Sequence, residues 1–270
     1  FNGTATLGTT AGTISLSSVR FVDGVATSDV TLTEAGTDQT VTATSGDLSG
    51  TSTVFTVNPA DAGNFLVEAL TGGRICPQTA GTPFDIRITA RDRHNNTVTS
   101  FTGTVNLSTN AGTISPTSVV FAPSDHGVIA TSVILTQPGT DRRITATAAS
   151  HSLTSDSLTQ PGVDKGITAA AAVDTGTSNN FTINALPLDN FKVEAVGGGD
   201  ISTQTAWNPF DIQITARDAN GNTVISFNGT ADIGSTGDLS LGNGTTAAFL
   251  NGVLASHSVT FSAGGRYTIT

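Results

Sequence analysis

Residues Pro83 to Asp92 read Pro-Phe-Asp-Ile-Arg-Ile-Thr-Ala-Arg-Asp, and Pro209 to Asp218 read Pro-Phe-Asp-Ile-Gln-Ile-Thr-Ala-Arg-Asp. In both, apolar and polar residues alternate, the period of a β-strand that buries one face. The pattern points Phe84, Ile86, Ile88 and Ala90 inward and turns Asp85, Arg87, Thr89 and Arg91 to water. A turn containing Asn or Gly follows each copy, Asp92 to Asn96 in the first and Asp218 to Asn222 in the second.

The copying runs along the whole chain. Phe65-Leu-Val-Glu-Ala returns 126 residues later as Phe191-Lys-Val-Glu-Ala, and the same offset carries Phe84 to Phe210 and Phe101-Thr-Gly-Thr to Phe227-Asn-Gly-Thr. Phe1-Asn-Gly-Thr is that last motif again, so residue 1 is expected to lie in the middle of a unit. Gly24 to Asp38 matches Gly127 to Asp141 at an offset of 103. Phe55-Thr-Val-Asn and Phe181-Thr-Ile-Asn close the first two copies, while the third reaches Thr270 without such a segment. Periodicity of this kind marks a repeat architecture.

Three units are therefore expected: 1–58, lacking its first two strands; 63–185, complete; and 189–270, lacking its last strand. In the complete unit about seven strands are expected, near 64–70, 83–91, 97–107, 117–121, 128–136, 142–147 and 180–184. The unequal offsets, 126 against 103, place an insertion near 150–175, expected to lengthen a hairpin at one end of the second unit. Loops on a rigid scaffold are where binding functions usually sit, although a tolerated surface insertion is the plainer reading.

Composition agrees with strands. Charged residues make up only 12% of the chain while Gly alone supplies 30 positions, and the strong helix formers Lys, Glu and Leu are sparse. The expectation is an all-β protein built from sandwiches. A net charge of −10 with no Lys/Arg stripe argues against nucleic acid and against an anionic membrane surface. No apolar run is long enough for a membrane-spanning helix. Cys76 is the single cysteine, so no internal disulfide is available; Ser202 takes its place in the next copy. It reads as a small loop residue, with an intermolecular bridge or reactive thiol as the alternative.

Ile214 to Val224 (Ile-Thr-Ala-Arg-Asp-Ala-Asn-Gly-Asn-Thr-Val), the stretch Gly24 to Thr27, and Ala35-Gly36 followed by Val41-Thr-Ala-Thr form an ordered series. The series resembles the tandem bacterial immunoglobulin-like repeats of invasin- and intimin-type adhesins and other large prokaryotic surface proteins. The resemblance covers nearly the whole chain. It implies tandem immunoglobulin-like β-sandwiches of about seven strands, the first and last copies incomplete, in an extracellular or cell-surface stalk, fibre or layer. It brings no catalytic residues with it. Tyr267, just after Gly265, resembles the tyrosine corner of such folds, where the other copies have Gln39 and Arg142.

Signs of chemistry are few. His94, His126, His151 and His257 fall in or beside turns and loops or on a strand's polar side, without the spacing of a zinc site. No Gly-x-Ser-x-Gly elbow occurs, and Gly197-Gly198-Gly199 is not followed by a helix pattern, so the chain is not expected to be an enzyme. Asp218, Asn220 and Asn222 offer oxygens at alternate positions and are candidate calcium ligands, but the closing Glu of a calcium loop is missing and Asn-Gly is also a strong hairpin signal. Sequons for N-glycosylation occur at Asn2, Asn95, Asn106, Asn180, Asn228 and Asn243.

The expected function is structural: a repeat segment of an extracellular fibre, stalk, sheath or surface layer. One alternative is an adhesin that binds a glycan or host protein through the 150–175 loop. Another is a non-catalytic accessory region of a large secreted enzyme. Expected partners are other copies of the chain or adjoining repeats, including strand donation to the open edge of the last unit.

Overall fold

The computed structural model describes residues 1–148 and 174–270. The expected 150–175 loop, apart from its last two residues, and His151 lie outside the described residues.

The first unit contains β1 (Gly3–Thr9), β2 (Ser18–Phe21), β3 (Gly36–Gln39), β4 (Val41–Ser45), β5 (Leu48–Thr51) and β6 (Phe55–Val57). The second contains β7 (Asn64–Ala69), β8 (Gln78–Thr79), β9 (Phe84–Arg91), β10 (Gly103–Thr109), β11 (Ile114–Ser115), β12 (Ser118–Phe121), β13 (Val128–Leu135), β14 (Gly139–Arg142), β15 (Ile144–Ala148), β16 (Asp174–Thr177) and β17 (Phe181–Asn184). The third contains β18 (Leu188–Ala195), β19 (Phe210–Asp218), β20 (Asp232–Ile233), β21 (Leu239–Leu241), β22 (Gly244–Thr245) and β23 (Val253–Phe261). The protein is all-β; a single 3-10 turn, Pro123–Asp125, is the one helical element among the described residues.

In the second unit one sheet runs β11-β13-β9-β7-β16-β15-β10-β12 and a smaller one runs β14-β17-β8. The large sheet doubles back on itself at β7 and β16, which meet as parallel neighbours at Asn64 and Thr175. Val67, Ile86, Ile88, Val133 and Leu135 from one half then join Val105, Phe121, Ile144 and Ala146 from the other in a single core. Phe101 stands between Phe65 and Phe121, with ring centroids 5.3 and 5.1 Å away in edge-on contacts. Phe227 repeats this in the third unit, 5.4 Å from Phe191 and 5.0 Å from Phe249. Among the described residues no ladder joins strands of different units.

Several expectations are redrawn by the packing. The strand expected over 97–107 begins only at Gly103, because Phe101 turns back to donate its N–H to the Val98 carbonyl (3.0 Å). Thr89, expected to face water, is buried, since it lies between Leu66 and Val128 across the two flanking ladders. β8, β11, β14 and β16 add short strands beyond the seven expected.

The sharpest difference lies between copies. Val128–Leu135 is a strand paired along β9, whereas the matching residues of the first unit form no strand and make only isolated bridges, Val25 to Val22 and Leu32 to Ile14. Among the described residues no strand of the first unit stands where β7 or β9 stands in the second. Without that neighbour the segment's N–H and C=O groups have no ladder to join.

Candidate functional site

The residues that repeat most faithfully come together where one unit meets the next. Asp92 follows β9, and its carboxylate closes the turn behind it: Oδ1 accepts the backbone N–H groups of His94 (2.8 Å) and Asn96 (2.9 Å). Oδ2 accepts the Asn96 side-chain amide (2.8 Å) and the N–H of Ala60 (3.0 Å), a residue of the linker that leads into the unit. Asp218 does the same after β19. Its Oδ1 accepts Asn220 N–H (2.9 Å) and Asn222 N–H (2.8 Å), and its Oδ2 accepts the Asn222 amide (3.1 Å) and the linker N–H of Leu186 (3.1 Å).

Both carboxylates are fully buried. Burial alone would raise their pKa. The hydrogen bonds outweigh it, from the side-chain amide of Asn96 and the N–H groups of Ala60, Asn96 and His94 at Asp92, and from the Asn222 amide and the N–H groups of Asn222, Leu186 and Asn220 at Asp218. The result is a carboxyl held below its ordinary value of 3.8 in each turn.

This geometry bears on the candidate calcium ligands. Asp218 and Asn222 are brought together, but Asn222 presents its NH₂ to the carboxylate, and N–H donors fill the four acceptor positions of Asp218. A cation there would have to displace those donors. Asn220 contributes its backbone N–H, while its side chain lies against Gly81 of the second unit. Among the described residues no three His, Cys, Asp or Glu side chains gather as a metal-binding group.

The six sequon asparagines are all exposed. Asn106 stands in β10 opposite Thr147 and Ser118. Asn2 accepts the N–H of Asp23 (2.7 Å), Asn228 accepts the N–H of Asn251 (3.0 Å), and Asn180 donates to Asp141 (3.2 Å). Asn95 occupies the left-handed region with φ 67° in the Asp92 turn. Cys76 is exposed. Ala148 and Asp174, which bracket the residues not described, pair with each other at the end of the unit where Asn64 begins β7.

A groove of about 470 Å³ in the third unit is lined by Gln204, Thr205, Phe210, Phe261 and Tyr267 among others. Gln204 and Thr205 stand 126 residues after Gln78 and Thr79, which in the second unit pair with Ile183 and Asn184 of β17. The groove thus lies where β17 sits one unit earlier. Tyr267 stacks on Phe261 (centroids 4.8 Å apart) and donates its hydroxyl to the Gly264 carbonyl (3.0 Å).

The capture of a linker N–H by the Asp92 and Asp218 carboxylates was not anticipated from the sequence. The signal for it was present as the constant spacing from Asn58 to Asp92 and from Asn184 to Asp218.

No family model matches the sequence, and no curated protein matches it. Solved structures similar to this chain include the Escherichia coli adhesin FdeC, at 19% identity over 100% of this chain and 81% of that one, with a TM-score of 0.36. Invasin, a bacterial integrin-binding protein, is 17% identical over 99% of this chain and 49% of its own, with a TM-score of 0.32. Domains 1–6 of the surface-layer protein SbsC are 18% identical over 98% of this chain and 28% of theirs, with a TM-score of 0.26. These neighbours are surface proteins of the type that the repeat motifs resemble. With TM-scores this low, the all-β assignment rests on the strands and registers of the chain itself.

Proposed function

We propose that the chain is a segment of a cell-surface or extracellular array in which β-sandwich units are joined in series, as a stalk, fibre, sheath or layer. The observation that carries this reading is the repeated carboxylate clamp. Asp92 holds the N–H of Ala60 and Asp218 that of Leu186, so each linker is built into the unit that follows it. A linker held this way transmits force from unit to unit and keeps each unit's origin fixed on the one before, unlike a flexible tether.

The test is an image of the native assembly at a resolution that shows repeat spacing. An eight-residue strand such as β9 spans about 26 Å at ~3.3 Å per residue, so with end turns the beads should recur every ~40 Å along a filament or lattice. Isolated rods carrying no such neighbours would count against an array and favour the adhesin reading.

A further inference from the structure

The two junctions share the clamp but differ in a second layer of contacts. At the first junction, Asn96 reaches beyond its own turn into the preceding unit. Its Oδ1 accepts the N–H of Ala35 (3.0 Å) and its Nδ2 donates to the Thr33 carbonyl (2.9 Å). One planar amide thereby reads a donor and an acceptor two residues apart, a bidentate contact that fixes orientation as well as distance.

At the second junction the amide is present as Asn222, but its docking site has changed. The residues matching Thr33 and Ala35 are Thr136 and Pro138, and proline has no N–H to offer. Asn222 faces Gln137, Pro138 and Gly139 across a cleft of about 350 Å³. Among the described residues its amide bonds to Asp218 alone, and no hydrogen bond joins the bodies of the second and third units outside the linker. A close approach remains at one point: a side chain added at Gly81 would begin 2.6 Å from Asn220 Nδ2.

We propose that the first junction is latched and the second is a pivot. The Asn96 amide locks the first and second units, whereas Pro138 deletes the matching latch and leaves the third unit to swing about the Asp218–Leu186 clamp and the Gly81–Asn220 contact. The inference concerns the junctions alone and holds for a stalk, a layer or an adhesin.

The test is a pair of distance distributions measured by pulsed electron paramagnetic resonance on the full chain. Cys76→Ser frees the background of thiols, as Ser202 already stands at the matching position. Labels at the exposed positions Ser49→Cys with Ala130→Cys span the first junction, and Ala130→Cys with Ser256→Cys span the second. The first distribution is expected to be the narrower. Ala35→Pro, which imitates Pro138, should widen it to the breadth of the second, and Pro138→Ala should narrow the second. Equal widths in the parent chain overturn the proposal, and so does an Ala35→Pro variant as narrow as its parent. Should Ala35→Pro lose its strand circular dichroism, Pro138→Ala decides alone: narrowing supports the pivot and an unchanged width refutes it.

Discussion

Gly176 and Gly50 occupy the same place in two copies of one hairpin, opposite Ala146 and Ala43, yet the same substitution should affect them very differently. In the second unit β16 runs beside β7, and a Cβ placed on Gly176 would meet the Phe65 carbonyl oxygen at 1.8 Å and its carbonyl carbon at 2.5 Å. A carbon-to-oxygen contact needs about 3.3 Å, so Gly176→Ala demands a backbone separation of more than ~1 Å. That movement prises β16 from β7 at the fold line of the large sheet. Overpacking of this kind costs about 1–3 kcal/mol, and here the obstacle is backbone, which gives least, so ~3 kcal/mol is expected. A unit of about 120 residues lies between the sizes for which each kcal/mol shifts Tm by ~4–8 °C and by ~2–4 °C, so at ~3–5 °C per kcal/mol the expected fall is roughly 10–15 °C. Gly50 has nothing within 4 Å, and Gly50→Ala should leave stability within about 0.5 kcal/mol or raise it slightly. Trp207 and Tyr267 are the chain's single Trp and Tyr and both lie in the third unit, so fluorescence is blind to this change. Calorimetry of the full chain, with hydrogen exchange read on peptides from β7 and β16, is the suitable assay. A Gly176→Ala transition within 0.5 kcal/mol of the parent, or a matching loss in Gly50→Ala, would refute the steric reasoning.

Asp92→Ala strips acceptors from three backbone N–H groups and one amide, and should destabilise the second unit by about 3 kcal/mol while exposing the Ala60 amide to exchange. Asp218→Ala should do the same to the third unit and to Leu186, with a fall in the Trp207 fluorescence midpoint as the readout. Because both carboxyls lie below their ordinary value of 3.8 when folded, the stability they contribute is present above that pH. It should decline as pH falls below ~4 through the folded pKa, and urea midpoints of the parent measured from pH 6 to pH 2.5 should lose that slope in the double Asp92→Ala, Asp218→Ala variant. Phe121→Ala empties a fully buried position against Phe65 and Phe101 and should cost about 3–5 kcal/mol in the second unit, with the third unit's fluorescence transition unmoved.

How much of this was legible in the sequence depends on the distance over which each feature is decided. The inward set Ile86, Ile88 and Ala90 follows from alternation along β9 alone, and the structure buries all of them. The pairing of Asp with Asn four residues on was visible as a repeated turn, since an Asx carboxylate capturing nearby N–H groups is a local event. The linker's place in that turn was not visible, because Ala60 and Asp92 are brought together only when the unit folds. Nor could local pattern place Thr89, which is polar by composition and buried by its neighbours in adjoining strands.

Sequence alone determined the repeat, the all-β character and the identity of the turn residues, because period and propensity are properties of neighbours along the chain. Tertiary structure decided which of two matching segments becomes a strand, why Gly176 must be glycine where Gly50 need not, and which Asn amide finds a partner across a junction. Each of those depends on a surface supplied from elsewhere in the fold. A ladder needs a neighbouring backbone, and a hydrogen bond needs a donor at the other end.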